Sequence, residues 1–127
     1  MKFLFIGVGG AIGSLFRYIV SGLTYKFLDG VFPWGTLAVN LIGSLAAGFL
    51  WGLSERVIIS PNTRTFIFVG ILGGFTTFST YSLESFNLLR DGEIRLALSN
   101  ILTTNILGIA LVLLGFIASR YLINILR

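Results

Sequence analysis

Cysteine and histidine are both missing from this 127-residue chain. Disulfide scaffolds, zinc sites built on thiolate or imidazole, and Ser-His or Cys-His catalysis are therefore excluded. Charge is also scarce: Asp, Glu, Lys and Arg together make up 11% of the residues, too few to clothe a soluble core of this size. Only two prolines occur, Pro33 and Pro61, and both fall between the long apolar runs. What fills the chain instead is apolar side chains, 55% of the total, with a mean hydropathy of +0.94. Such a composition defines an integral membrane protein, and the length allows one domain.

The net charge of +4 would raise the question of nucleic acid in a soluble protein. Here the nine Lys and Arg stand singly near the ends of apolar runs, with no basic stripe and no recognition motif. Lipid headgroups explain them, and nucleic acid is not an expected partner.

Four apolar runs, about 3–25, 34–53, 65–89 and 95–123, are each long enough to cross a bilayer as a helix, so the expected fold class is an all-α membrane domain. The first opens after Lys2 much as a secretory leader does. It lacks a small-x-small cleavage site and carries Arg17, so a retained transmembrane helix is expected. Asp29-Gly30, Ser60-Pro61-Asn62 and Arg90-Asp91-Gly92-Glu93 mark the links. Links this short leave no room for an extramembrane catalytic site, and an enzyme is not expected. Lys2, Arg56, Arg64, Arg120 and Arg127 fall at one end of the bundle, against Lys26, Arg90 and Arg95 at the other, with Arg17 nearer the second. So small an asymmetry permits insertion in both orientations.

Polar residues inside the spans are few. Gly9 and Gly13, like Gly70 and Gly74, have the small-xxx-small spacing that lets helices approach closely in lipid. Arg17 either snorkels to the headgroups or acts as a buried ion-pairing or anion-facing charge. Asn40, taken alone, reads as a helix-to-helix hydrogen bond.

The third span is different in kind. It passes through Gly70, Gly73 and Gly74, then Thr76-Thr77, and continues Phe78-Ser79-Thr80-Tyr81-Ser82-Leu83-Glu84. Each glycine lowers helix propensity by about 1 kcal/mol relative to alanine. A mid-membrane break with carbonyls turned to a ligand and a glycine face for close packing are both consistent with that run. Beyond it, Phe78 and Tyr81 stand three apart, on one helix face, among Thr77, Ser79, Thr80 and Ser82. Ring edges carry the positive part of the aromatic quadrupole and hydroxyls donate protons, so both suit a desolvated anion. No general base, metal cluster or phosphate loop accompanies them, which describes a path and not a reaction centre.

Three segments together carry a family resemblance: Gly9-Gly10-x-x-Gly13-x-x-x-Arg17, Gly35-Thr36-Leu37-x-Val39-Asn40-x-x-Gly43, and Gly73-Gly74-Phe75-Thr76-Thr77-Phe78-Ser79-Thr80-Tyr81-Ser82-x-Glu84. In motif order and over essentially its whole length the chain resembles the small bacterial fluoride channels of the Fluc, or CrcB, family. The resemblance implies a passive fluoride-selective channel of the cytoplasmic (inner) membrane that exports fluoride and lowers its toxicity. It implies four transmembrane helices per subunit, the third broken, in an antiparallel dual-topology homodimer surrounded by lipid. It also implies a structural Na+ at the dimer centre, held by backbone carbonyls matching Gly73 and Thr76 and not transported. The fluoride pathway would run past Phe78, Tyr81, Asn40, Ser79 and Thr80, with Arg17 and Glu84 as supporting charges. Tyr81 departs from the family's usual phenylalanine, and Thr103, Thr104 or Asn105 would stand in for fourth-span serines. The rival expectation is a small dual-topology exporter trading protons for cationic drugs, which needs a buried carboxylate in an aromatic pocket; Glu84 is the one candidate, and its place near the end of its helix reads more plainly as pairing with Arg17 or with headgroups.

Overall fold

The computed structural model describes residues 1–126; Arg127, counted above among the charges of one end, lies outside the described residues. Helix α1 is Lys2–Phe27, α2 is Trp34–Ser54, α3 is Pro61–Arg64, a π-helical stretch covers Thr65–Leu72, α4 is Gly73–Phe75, α5 is Ser79–Arg90 and α6 is Ile94–Leu126. Among the described residues, Lys2–Phe27, Trp34–Ser54, Pro61–Arg90 and Ile94–Leu126 are the four helices long and apolar enough to cross a membrane. The last has 33 residues, about 50 Å of helix, so it outruns a hydrocarbon layer of about 30 Å.

Local chemistry explains the boundaries. The third helix begins at Pro61, inside what the sequence reads as a link, because Ser60 caps it: its Oγ accepts the Thr63 N–H at 3.2 Å and proline occupies the first turn. At the far end Gly92 takes φ +81, and the Glu93 N–H returns to the Leu88 carbonyl while the Gly92 N–H returns to Leu89. That double return is the Schellman ending, and it turns the chain into α6. The π-helical winding of Thr65–Leu72 has no counterpart in the sequence reading, which expects ordinary helix there.

Packing is decided by small residues. α2 lies along α6, α1 lies against the π-helical stretch and α4, and α5 leans on α6. Gly9 and Gly13 of α1 meet Gly70 and the backbone around Ile71, so the two small-xxx-small pairs of the sequence face one another. A Cβ on Gly9 would stand 2.7 Å from the Phe66 carbonyl oxygen, and one on Gly74 would stand 2.6 Å from that of Gly10. Gly48 and Gly115 let α2 and α6 touch backbone to backbone in the same way.

A test follows from this packing. Gly13→Ala drives a methyl group into the Ile71 backbone, whereas a methyl group on Gly7 meets nothing within 4 Å. We expect Gly13→Ala to cost about 1–3 kcal/mol, the usual penalty of overpacking, and to lower the thermal aggregation midpoint in detergent. Gly7→Ala is expected to leave it unchanged.

Few side chains are buried in the subunit: Val39, Ala97, Leu37 and Leu88 are the main apolar ones. Leu15, Ile109 and Leu113, among many, face outward. An outer surface of that composition suits hydrocarbon as its solvent.

Candidate functional site

Helical hydrogen bonding lapses at Thr76. Its backbone is extended, with φ −83 and ψ 156, and helix resumes only at Ser79. A backbone freed in an apolar surrounding needs new partners, and several of them can be named. The Thr76 N–H and hydroxyl both donate to the Leu72 carbonyl, at 3.0 and 2.9 Å. The Thr77 peptide is taken up by Asn40 of α2, whose Oδ1 accepts the Thr77 N–H at 2.9 Å while its Nδ2 donates to the Thr77 carbonyl at 3.0 Å. Arg17 of α1 donates from Nε to the Gly74 carbonyl at 3.1 Å. The Thr80 N–H, in the first turn of the new helix, finds Thr77 Oγ1 at 3.2 Å.

Two carbonyls are left over by these exchanges. The Thr77 N–H that would have closed on Gly73 goes to Asn40, and the Thr80 N–H that would have closed on Thr76 goes to Thr77 Oγ1. Among the described residues no hydrogen bond reaches the carbonyl of Gly73 or of Thr76. Gly73 is exposed on the subunit surface and Thr76 is half-buried. The ending helix thus presents bare oxygens, and the helix that begins at Ser79 presents the positive end of its backbone dipole.

Beside this interruption runs a groove of about 450 Å³, lined by Asn40, Ser44, Phe78, Tyr81, Thr104 and Asn105. The Phe78 and Tyr81 rings stand with centroids 5.7 Å apart and planes inclined at 52°. Tyr81 is buried, but Phe78 is 78% exposed, so its ring hangs on the subunit surface. Asn105 donates to the Tyr81 hydroxyl at 3.1 Å. The groove therefore unites Asn40, Gly73, Thr76, Phe78 and Tyr81 of the residues singled out from sequence, together with Thr104 and Asn105 but not Thr103.

Ser79 and Thr80 line an adjoining cleft that also holds Ser14 and Arg17 and shares Gly73, Thr76 and Phe78 with the groove. Arg17 and Glu84 form no ion pair among the described residues. Glu84 lies farther along α5, in a small pocket with Tyr25, Phe32 and Asn87, and its Oε1 is buried without a partner there.

Sequence reasoning passed over Ser85 and Asn100. Asn100 is 1% exposed and donates to Ser85 Oγ at 2.9 Å, Ser85 in turn donates to the Tyr81 carbonyl at 2.8 Å, and Thr104 reaches Asn100 Oδ1 at 3.4 Å. The available signal was spacing. Ser85 follows Tyr81 by four residues and Asn100 precedes Thr104 by four, so each lies on the helix face already marked.

Four helices fit to cross a membrane, packed through glycine and carrying a polar interruption in the third, define a multi-pass membrane protein. A model of the family described as CrcB-like protein, Camphor Resistance (CrcB), matches residues 4–116, and the chain belongs to that family. It is 43% identical over 127 residues to a protein of Parabacteroides distasonis named fluoride-specific ion channel FluC, covering 100% of this chain and 99% of that one. Proteins of the same name from Salinibacter ruber and Aquifex aeolicus are 46% and 44% identical, over 98% and 92% of this chain and 93% and 95% of theirs. These relatives are named as channels, and the family is not one of enzymes.

Proposed function

We propose that this protein is a passive, fluoride-selective channel of the cytoplasmic (inner) membrane, that its chain is a single channel domain, and that it lets fluoride leave the cell. One observation carries this reading. Phe78 and Tyr81, with ring centroids 5.7 Å apart, wall a groove beside the interruption of the third helix, in a chain alike over its whole length to proteins named fluoride-specific channels.

Fluoride is small and holds its water strongly, so a dry path must offer it close replacements. Ring edges of Phe78 and Tyr81 present partial positive charge, and the hydroxyls of Ser79 and Thr80, in the adjoining cleft that Phe78 also lines, donate protons. Asn40 has one amide N–H beyond the one it gives to Thr77. Narrowness excludes larger halides. Hydrogen fluoride, a weak acid, crosses lipid uncharged and ionises in the more alkaline cytosol, and the anion then leaves down its gradient, helped by a negative-inside potential. No coupling machinery is required.

The interruption of the third helix, which we place at mid-membrane, calls for a second copy. The Gly73 carbonyl, Ser79 and the 78% exposed ring of Phe78 lie on the subunit surface, where hydrocarbon would leave the polar atoms unpaired. A second subunit in the opposite orientation covers them, and the near balance of Lys and Arg between the two ends supports insertion both ways. The bare carbonyls of Gly73 and Thr76 are hard oxygen donors, the kind that holds Na+ at an unwound helix, so the residues fit a structural, untransported sodium ion at the dimer centre. Bound there, the ion would supply a positive charge that satisfies the carbonyls of Gly73 and Thr76. Glu84 does have its Oε1 buried beside Tyr25 and Phe32, as a drug exporter would need, but that pocket holds only about 220 Å³ and is separate from the groove of Phe78 and Tyr81.

Purified protein in liposomes, followed by a fluoride electrode, tests the proposal. Fluoride efflux with chloride retained is expected; equal leakage of both, or of neither, overturns it. Replacing Na+ by a large organic cation throughout purification is expected to lower both fluoride flux and the dimer fraction on size exclusion. Indifference to sodium removes the assigned role of Gly73 and Thr76.

A further inference from the structure

Asn105 reaches from α6 to the ring of Tyr81 and donates twice from one amide nitrogen, to the Ile101 carbonyl at 2.7 Å and to the Tyr81 hydroxyl oxygen at 3.1 Å. The first bond fixes which amide atom is nitrogen, because the reverse assignment would set two oxygens 2.7 Å apart. An amide nitrogen carries two protons and accepts none. The Tyr81 oxygen is therefore the acceptor in its bond with Asn105, and its own proton is turned elsewhere.

Among the described residues that proton meets no acceptor. Ser85, Asn100 and Thr104 pair with one another and with the Tyr81 carbonyl, not with its hydroxyl. Yet Tyr81 is only 8% exposed, and it lines the same groove as Asn105 and Phe78. A buried hydroxyl with one lone pair occupied and its proton unmatched is a donor waiting for a ligand in that groove.

We infer that the Tyr81 hydroxyl donates a hydrogen bond to the passing fluoride, and that Asn105 is the positioning residue that keeps the proton turned into the groove. The inference rests on the fluoride-channel reading and deepens it. An O–H donor to an anion is stronger than a ring edge, so this subunit holds the ion more tightly at Tyr81 than two bare rings would. Asn105 itself offers the anion no proton, since both of its amide hydrogens are engaged. Its effect passes entirely through Tyr81.

The test uses full-length protein in liposomes, with initial fluoride efflux measured against internal fluoride concentration for wild type, Tyr81→Phe, Asn105→Ala and the double variant. Tyr81→Phe preserves the ring and is expected to raise the half-saturating fluoride concentration about tenfold, as for loss of one hydrogen bond to a charged acceptor. Asn105→Ala is expected to raise it by a smaller factor in wild type and not at all in the Tyr81→Phe background, because a residue that acts through the hydroxyl has nothing to act on once it is gone. Asn105→Ser gives the same comparison should the alanine variant not fold. Tyr81→Phe indistinguishable from wild type, or an Asn105 effect that persists undiminished without the hydroxyl, overturns the inference while leaving the channel reading intact. Absence of fluoride efflux from wild type overturns the channel reading, and the inference with it.

Discussion

Phe78→Ile is expected to reduce fluoride efflux to the level of protein-free vesicles while leaving the protein folded and dimeric. The two halves of that outcome have different physical origins. Because the Phe78 ring is 78% exposed on the subunit, the fold owes it little, and its replacement is expected to change subunit stability by no more than about 0.5 kcal/mol. The groove owes it much. Isoleucine is apolar and of comparable bulk but has no quadrupole, so the positive ring edge that faces the anion disappears without any hydroxyl or amide to replace it. Electrode-monitored efflux and size exclusion on the same preparation check both halves. Flux at the wild-type rate would remove the ring from the pathway, and a monomeric product would mean that Phe78 serves assembly instead.

Asn40→Leu is expected to fail in the opposite manner, losing stability and flux together. Both polar ends of the Asn40 amide are engaged with the backbone of Thr77, at 2.9 and 3.0 Å, and leucine has a similar volume with neither donor nor acceptor. The half-buried Thr77 N–H and carbonyl would both lose their partner. Two such groups cost about 2–4 kcal/mol in a protein interior, a figure reduced in membranes because the disordered chain also finds partners there. A lowered thermal aggregation midpoint accompanied by lost efflux is the expected pair of results. If efflux were lost with the midpoint unchanged, Asn40 would act on the ion and not on the backbone; unchanged efflux would remove it from both roles.

The contrast between these variants shows why a sequence reads some parts of this molecule and not others. Phe78 and Tyr81 were legible because their meaning is local: three residues apart on one helix, their rings share a face wherever that helix is placed. Asn40 was harder. Its sequence neighbourhood reads as apolar helix, and a lone amide there suits any helix-to-helix bond. The partner that gives it a purpose lies 37 residues away, at a peptide the third helix releases. Arg17 is similar: neither the headgroups nor Glu84 receives its Nε–H, which goes to the Gly74 carbonyl, 57 residues away. Ser85 and Asn100 were passed over because a four-residue spacing is their one signal in the sequence, and the bond that gives it meaning forms only when α5 and α6 bring them within 2.9 Å.

The sequence by itself determined the number of membrane-crossing helices, their links, the scarcity of charge and the hydroxyl-rich aromatic stretch, because hydropathy, turn residues and helical spacing act over a few residues. Tertiary structure alone decided how the interrupted third helix is satisfied, which two carbonyls it leaves bare, and that Asn105 reaches the Tyr81 hydroxyl. A hydrogen bond tolerates only a few tenths of an ångström. That register is set by how closely glycine backbones let neighbouring helices approach, a distance no single segment encodes.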